Sequence, residues 1–220
     1  MDEPAEPSCC TPADARVARR FDARAAQWAD GEAFPAMVPV SAALLSLLDD
    51  AGEANPSVLE LGCGTGALSV ALLSAGATNV SGVDLSPRSL GVAERRAASA
   101  GFADRASFVA GNAASVALVA HDWVILDRSL CCFADAPALL ESALSAARRR
   151  IALSVPESRG WRGLLNHLIW RVENLWDRIS GGCPGYVHDL RRIETRLARA
   201  GFKRQRSKRI GLWFAGVYER

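Results

Sequence analysis

Two acids and a run of glycines carry the most chemistry in this sequence. Glu60 lies inside the apolar run Val58-Leu59-Glu60-Leu61, and Gly62, Cys63, Gly64 and Gly66 follow it at once. Glycines at alternate positions let the backbone take φ > 0 and let a ligand lie against bare main chain. Asp84 closes the next apolar run, Gly82-Val83-Asp84-Leu85, about 20 residues on, where a carboxylate can accept both hydroxyls of a ribose. The loop follows a strand pattern and opens a helical one (Ala67, Leu68, Val70, Ala71, Leu72), so the helix N-terminus points at whatever the loop holds. These residues describe a nucleoside-binding crossover. Gly62-x-Gly64-x-x-Ala67 also satisfies the dinucleotide fingerprint in its Gly/Ala form, which keeps an NAD-dependent oxidoreductase as an alternative. Glu60 disfavours it, because a pyrophosphate would meet an unpaired negative charge on the strand, whereas a cationic ligand would be attracted.

The elements that must position these residues alternate along the chain. Strands are expected at 57–61, 79–85, 106–110, 122–127 and 150–155, with helices at 67–74, 87–100 and 136–147 between them. Pro87 suits a helix N1 position, where its missing N–H costs nothing. Such alternation with short Gly/Asp turns predicts a parallel α/β sheet with right-handed crossovers. Two further strands, 202–209 and 212–219, are joined only through Ile210-Gly211 and must be antiparallel neighbours. The fold class is therefore a seven-stranded Rossmann-like sheet with a reversed C-terminal strand and helices on both faces. Residues 1–12 read as a disordered, proline-rich tail, and 13–54 as an N-terminal helical lid. Residues 55–220 form the main domain, with a cap inserted at about 157–188. In that cap Trp161, Leu164, Leu165, Leu168, Ile169, Val172, Leu175, Trp176 and Ile179 share one helical face, which is expected to pack on the core or enclose a ligand.

With these residues on the page, the chain resembles the class I S-adenosylmethionine-dependent methyltransferases. Val58–Gly66 looks like their motif I, Gly82-Val83-Asp84-Leu85-Ser86 like motif II, and Asp122–Asp127 like motif IV. Gly111-Asn112-Ala113 resembles the segment that meets the adenine. The resemblance implies S-adenosyl-L-methionine as cofactor, a molecule with a sulfonium, an ammonium and no phosphate. It implies that Glu60, Gly62, Cys63, Gly64 and Gly66 hold its methionine and sulfonium region, with Asp127 near the methyl group. Asp84 would take the ribose, Leu85 would pack on the adenine, and Asn112 and Ala113 would edge it. Pro156, the apolar helix after it and the basic C-terminal end are loosely similar to the magnesium-protoporphyrin methyltransferase branch. This favours methylation of a small, partly apolar molecule at an oxygen. A non-catalytic cofactor-binding protein of the same fold is the other alternative.

Candidates for acceptor chemistry lie where open α/β sheets bind ligands, beyond the carboxyl ends of the strands. Asp127 can orient or deprotonate a hydroxyl, and Arg128 can position a carboxylate. Tyr186 and His188 follow the break Gly181-Gly182-Cys183-Pro184-Gly185 and are expected to fold back over the cleft. His188 is the candidate general base, since an imidazole titrates near neutrality. Trp161 is the candidate apolar contact to the acceptor. His121 and His167 read as surface residues, and Cys131-Cys132 as buried thiols, since adjacent cysteines lack the spacing of a zinc site. No metal is needed for methyl transfer.

Composition narrows the partners. Of 220 residues 50% are hydrophobic and 23% charged, which is ordinary for a globular protein. A net charge of +2 is too small a positive excess for nucleic-acid binding. No window has the roughly 18 uninterrupted apolar residues of a membrane span, although the cap helix leaves room for a peripheral membrane contact. The acidic N-terminus lacks the pattern of a signal peptide, and six scattered cysteines suit a reducing cytoplasm better than a disulfide framework.

Overall fold

Apolar runs bounded by glycine and acid turns become the strands of one sheet in the computed structural model, which describes residues 12–29, 31, 33–49, 55–180 and 183–220. The expected tail lies outside these residues except for Pro12, as do Gly181 and Gly182. The strands are β1 (Ser57–Leu61), β2 (Asn79–Asp84), β3 (Ala106–Ala110), β4 (His121–Asp127), β5 (Ala147–Pro156), β6 (Lys203–Ile210) and β7 (Trp213–Glu219). The helices are α1 (Pro12–Ala25), α2 (Pro39–Asp49), α3 (Ala67–Ser74), α4 (Pro87–Ser99), α5 (Ala136–Ala146), α6 (Gly160–Ser180) and α7 (Leu190–Arg199). The 112–119 segment is a turn and loop.

The sheet order is β3-β2-β1-β4-β5-β7-β6. The first five strands are parallel, and β7 runs antiparallel between β5 and β6. The order reverses between β1 and β4, which opens a crevice at their carboxyl ends. Register fixes what stands there: Glu60 is opposite Gly82 on one side and Ile125 on the other.

Successive residues of a strand point to opposite faces, and the two cores follow that period. Leu59, Leu61, Val124 and Leu126 pack with Leu139 and Leu140 of α5 and Leu197 of α7. Val58 and Ile125 pack with Leu44 and Leu48 of α2 and Leu68 and Leu72 of α3. Glu60 shares parity with Val58, so its carboxyl faces α3 and is buried there.

The N-terminal segment is tied to α4. Asp22 accepts from the Ser86 hydroxyl at 2.6 Å and from the Arg88 amide at 3.1 Å. Arg95 donates to the Gly31 carbonyl at 2.8 Å and Arg96 to that of Pro35 at 2.7 Å.

Helix α6 departs from expectation. Its packed side is the polar one: Asn166 donates to the carbonyls of Glu157 and Leu212, both at 2.8 Å, and Asn174 exchanges two bonds with Gly185. The apolar face is exposed, not part of the core. The reason is local, because the backbone of 157–163 and 183–185 presents polar groups to α6 that only the Asn side can satisfy. His121 also departs from expectation. It is buried, with Nδ1 2.8 Å from the Val119 carbonyl and Nε2 3.1 Å from the Ser81 hydroxyl. Among the described residues no helix is long and apolar enough to cross a membrane.

Candidate functional site

The β1–α3 loop is bent by three left-handed glycines, Gly62 (φ 80°), Gly64 (φ 52°) and Gly66 (φ 71°). Two amides of the loop, Gly62 and Cys63, donate to the Val83 carbonyl at 2.7 and 3.2 Å, which holds the loop across the end of β2. Asp84 then ties both sides of the crevice. One carboxylate oxygen accepts the Gly64 amide at 2.8 Å and the other the Ser86 amide at 2.9 Å. Each oxygen keeps a lone pair for a ligand hydroxyl. Burial holds this carboxyl above its ordinary range, against the pull of those two amides.

Glu60 is the electrostatic centre of the site. Its carboxyl accepts a short hydrogen bond from the Ser69 hydroxyl. Burial first, and then the charges of Asp127 and Asp84, push its pKa up to about 8 despite that bond. The group therefore gains from a cation brought beside it. Cys63, on the loop, has its thiol pushed up by burial and then by the charges of Asp84 and Glu60.

These groups line one side of a cavity of about 480 Å³, a size usual for a small-molecule site. Leu85, Gly111 and Ala113 line it beside Asp84. Across from them stand the carboxyl end of β4 and the N-terminal and cap segments. Asp127 accepts hydroxyl hydrogen bonds from Ser41 of α2 and Ser154 of β5. Arg128, in the left-handed region at φ 56°, sets its guanidinium 5.6 Å from the Trp213 ring. Phe21, Trp28, Phe133 and Trp170 add aromatic surface. Arg20 of α1 bonds Asp177 of α6 at 3.0 Å and the Cys183 carbonyl at 2.5 Å, joining two walls of the cavity.

The insertion of antiparallel β7 between β5 and β6 separates this sheet from an all-parallel dinucleotide fold. On that frame, residues 58–151 match the methyltransferase domain family model. Over these residues the chain is similar to a methyltransferase domain. Over 67 residues it is 34% identical to the ribosomal protein L11 methyltransferase of Haemophilus ducreyi, which covers 30% of this chain and 23% of that protein. The chain thus spans under a quarter of the length of that curated relative. Magnesium protoporphyrin IX methyltransferase from Synechocystis PCC 6803, solved with SAH bound, aligns with 92% of this chain and 96% of its own at 23% identity and TM-score 0.68. An O-methyltransferase family protein from Burkholderia thailandensis aligns with 94% of this chain and 61% of its own at 17% identity and TM-score 0.69.

Around this cavity the expected residues fall into two groups. Glu60, Gly62, Cys63, Gly64, Asp84, Leu85, Ala113, Asp127 and Arg128 meet around the cavity. Gly66 stands behind the loop, against Ala93 of α4. Asn112 does not line the cavity, because its side-chain oxygen accepts the Ala114 amide at 2.8 Å and closes a local turn. His188 also stands outside the cavity lining. Its Nε2 is 2.8 Å from the Phe133 carbonyl and 3.1 Å from that of Leu130, so that nitrogen carries the proton and anchors the 130–133 turn. Tyr186 stacks on His188 with ring centres 5.8 Å apart, and its amide donates to the Cys131 carbonyl. Trp161 is 65% exposed, with the Arg162 guanidinium 4.6 Å from its ring. The α6 tryptophan that reaches the cavity is Trp170, on the side of the helix opposite Trp161. A lone aromatic on the polar face of an amphipathic helix was its one signal in the sequence.

Cys132, expected with Cys131 to be a buried thiol, is only partly buried. It lines the cavity, and its thiol is lowered by hydrogen bonding from Cys131 and then by the charges of Arg20 and Arg128. Cys131 and Cys183 are shifted upward. Thiolate, not thiol, reacts with alkylating agents. Brief iodoacetamide treatment at neutral pH followed by peptide mapping is expected to label Cys132 before Cys63, Cys131 and Cys183. First labelling at any of those three would contradict the assignment of the acidic thiol.

Proposed function

We propose that the chain transfers the methyl group of S-adenosyl-L-methionine to an oxygen of a small, partly apolar molecule bound in the cavity. The observation that carries this reading is the buried Glu60 carboxyl at the glycine loop, 24 residues before the ribose-type acid Asp84. The donor set fits the cofactor. An acid pushed up to about 8 suits an ammonium or sulfonium, and Asp84 has free lone pairs for two hydroxyls. The glycine loop lets a ligand approach main chain. When bound, the cofactor supplies an electrophilic methyl on sulfur.

The residues of the chain then bind, orient and exclude water. Phe21, Trp28, Phe133, Trp170 and Trp213 offer the apolar part of the acceptor a dry surface, and Arg128 offers its charged part a guanidinium. Asp127, braced by Ser41 and Ser154, orients the nucleophilic oxygen. With His188 committed to two carbonyls, rate enhancement rests on positioning, for which well-oriented reactants supply about 7–11 kcal/mol. The segment at 13–54 acts as a lid and 157–188 as a cap, joined through Arg20 and Asp177. The free thiols of Cys63, Cys131, Cys132 and Cys183 suit a cytoplasmic place of work.

Calorimetric titration tests the cofactor half. S-adenosylhomocysteine should bind and NADH should not. Asp84→Asn should weaken S-adenosylhomocysteine by about 1.5–3 kcal/mol, since its NH2 must face the N–H of either Gly64 or Ser86 and one acceptor for the ligand is lost. Transfer of labelled methyl to a panel of phenols, carboxylic acids and amines tests the acceptor half. Labelling confined to amines would overturn the oxygen assignment, and NADH binding without S-adenosylhomocysteine binding would overturn the whole reading.

A further inference from the structure

Helix α6 turns its polar side to the body of the protein and its apolar side away from it. Trp161, Leu168, Val172, Leu175 and Ile179 are between 61% and 76% exposed, and Leu165 is 38% exposed. A contiguous apolar patch of this extent on a folded protein marks an interface. The stripe runs about 27 Å, at 1.5 Å per residue from 161 to 179.

The spacing of the stripe says what covers it. Trp161, Leu165, Leu168, Val172, Leu175 and Ile179 follow one another at alternating steps of four and three residues. This is the a/d seam of a helix that packs on another helix. Val172 and Ile179 are β-branched at a positions, and Leu168 and Leu175 occupy d, a choice that favours two parallel strands. Asn166, Trp170, Asn174 and Asp177 lie on the far side of the helix, where they hold α6 to its own body. The seam is thus free to receive a second helix without disturbing the fold. With Leu164 and Trp176 on its margins it offers on the order of 1,000 Å² of apolar surface, against about 800 Å² per partner in a stable interface of standard size.

We propose that α6 pairs in parallel with α6 of a second copy of this chain. Charge sets the direction. Parallel pairing brings Arg171 on one margin toward Trp176 of the other copy, a cation–π arrangement. Antiparallel pairing lays the Arg171 margin of one helix along the same margin of the other, where like charges repel. The inner side of α6 contributes Trp170, Glu173 and Asp177 to the cavity wall, so the pairing braces that wall from behind.

Sedimentation equilibrium on the full chain tests the pairing. Wild type should run as a dimer at micromolar concentration, and the Leu168→Glu/Val172→Glu double variant as a 23.5 kDa monomer. Both side chains are exposed, so the variant should keep its far-ultraviolet circular dichroism and thermal midpoint. Thr195→Glu, an exposed change on α7, should remain dimeric. Ile179→Cys should form a 179–179 disulfide under mild oxidation, located by peptide mapping. A dimer without that disulfide would overturn the parallel arrangement. A wild-type monomer at every concentration would overturn the proposal, whether the stripe then binds phosphatidylglycerol vesicles or is covered by the first eleven residues. A dimer that survives both glutamates would overturn it as well.

Discussion

Glu60→Gln is expected to stabilise the protein at pH 8 and to weaken its hold on S-adenosylmethionine. The folded carboxyl is pushed from 4.5 up to about 8, chiefly by burial. Between those values the folded chain keeps a proton that the unfolded chain has lost. Stability therefore falls as pH rises through that window, by about 3–5 kcal/mol in all for a gap of that size. Gln resembles the protonated acid, still accepts from Ser69, and lacks the slope. Urea denaturation at pH 5 and pH 8 should show wild type losing stability relative to the variant. Ligand binding should move the other way. A cation beside Glu60 favours the ionised carboxylate, so binding near neutrality should release a proton from wild type and none from Glu60→Gln. Calorimetry in two buffers of different ionisation enthalpy reads that proton, and affinity should drop about 10- to 100-fold in the variant, the range for a lost charged hydrogen bond. Parallel pH profiles for the two proteins would mean that Glu60 is already ionised in the folded chain.

Much of this site was legible because its chemistry is carried by main chain and by consecutive residues. Gly62, Gly64 and Gly66 favour the left-handed turns that the loop takes, and Asp84 ends β2 opposite Ala110 of β3. Strand period and turn residues likewise place the seven strands within a residue or two, except β5, which begins three residues earlier at Ala147. What was not legible depends on which face of an element meets which neighbour. The apolar stripe of α6 reads as core on burial grounds alone. Its actual orientation is decided by the carbonyls of Glu157, Leu212 and Gly185 that accept from Asn166 and Asn174, which no periodicity reports. His188 lies off the cavity lining for the same reason. Its type and position in sequence suit catalysis, but the Leu130 and Phe133 carbonyls, more than fifty residues away, claim its Nε2. Cys132 gains its acidity from Cys131, Arg20 and Arg128, and two of those three are brought near only by the fold or by a left-handed turn.

The three loop glycines should differ sharply when each is replaced by alanine. A Cβ on Gly66 would lie 2.8 Å from the Ala93 Cβ and 3.1 Å from its Cα, and Ala93 is fully buried in α4. A Cβ on Gly62 would lie 2.6 Å from the Ser129 Cβ. A Cβ on Gly64 meets nothing within 4 Å. All three positions have positive φ, so each alanine carries the left-handed penalty of about 1–2 kcal/mol. Only Gly62 and Gly66 add overpacking, which costs about 1–3 kcal/mol more. Gly66→Ala and Gly62→Ala are therefore expected to lose about 2–5 kcal/mol of stability, a fall in thermal midpoint of roughly 5–15 °C for a chain of this size, and Gly64→Ala about a third of that. The clash at Gly66 can be isolated, because its partner is itself an alanine. Gly66→Ala/Ala93→Gly removes the Cβ–Cβ contact but leaves the backbone strain. In a double-mutant cycle the pair should recover about 1–2 kcal/mol relative to the sum of the singles. Additive losses would mean that α4 already yields to the extra methyl, and the whole cost at Gly66 would then be its left-handed backbone.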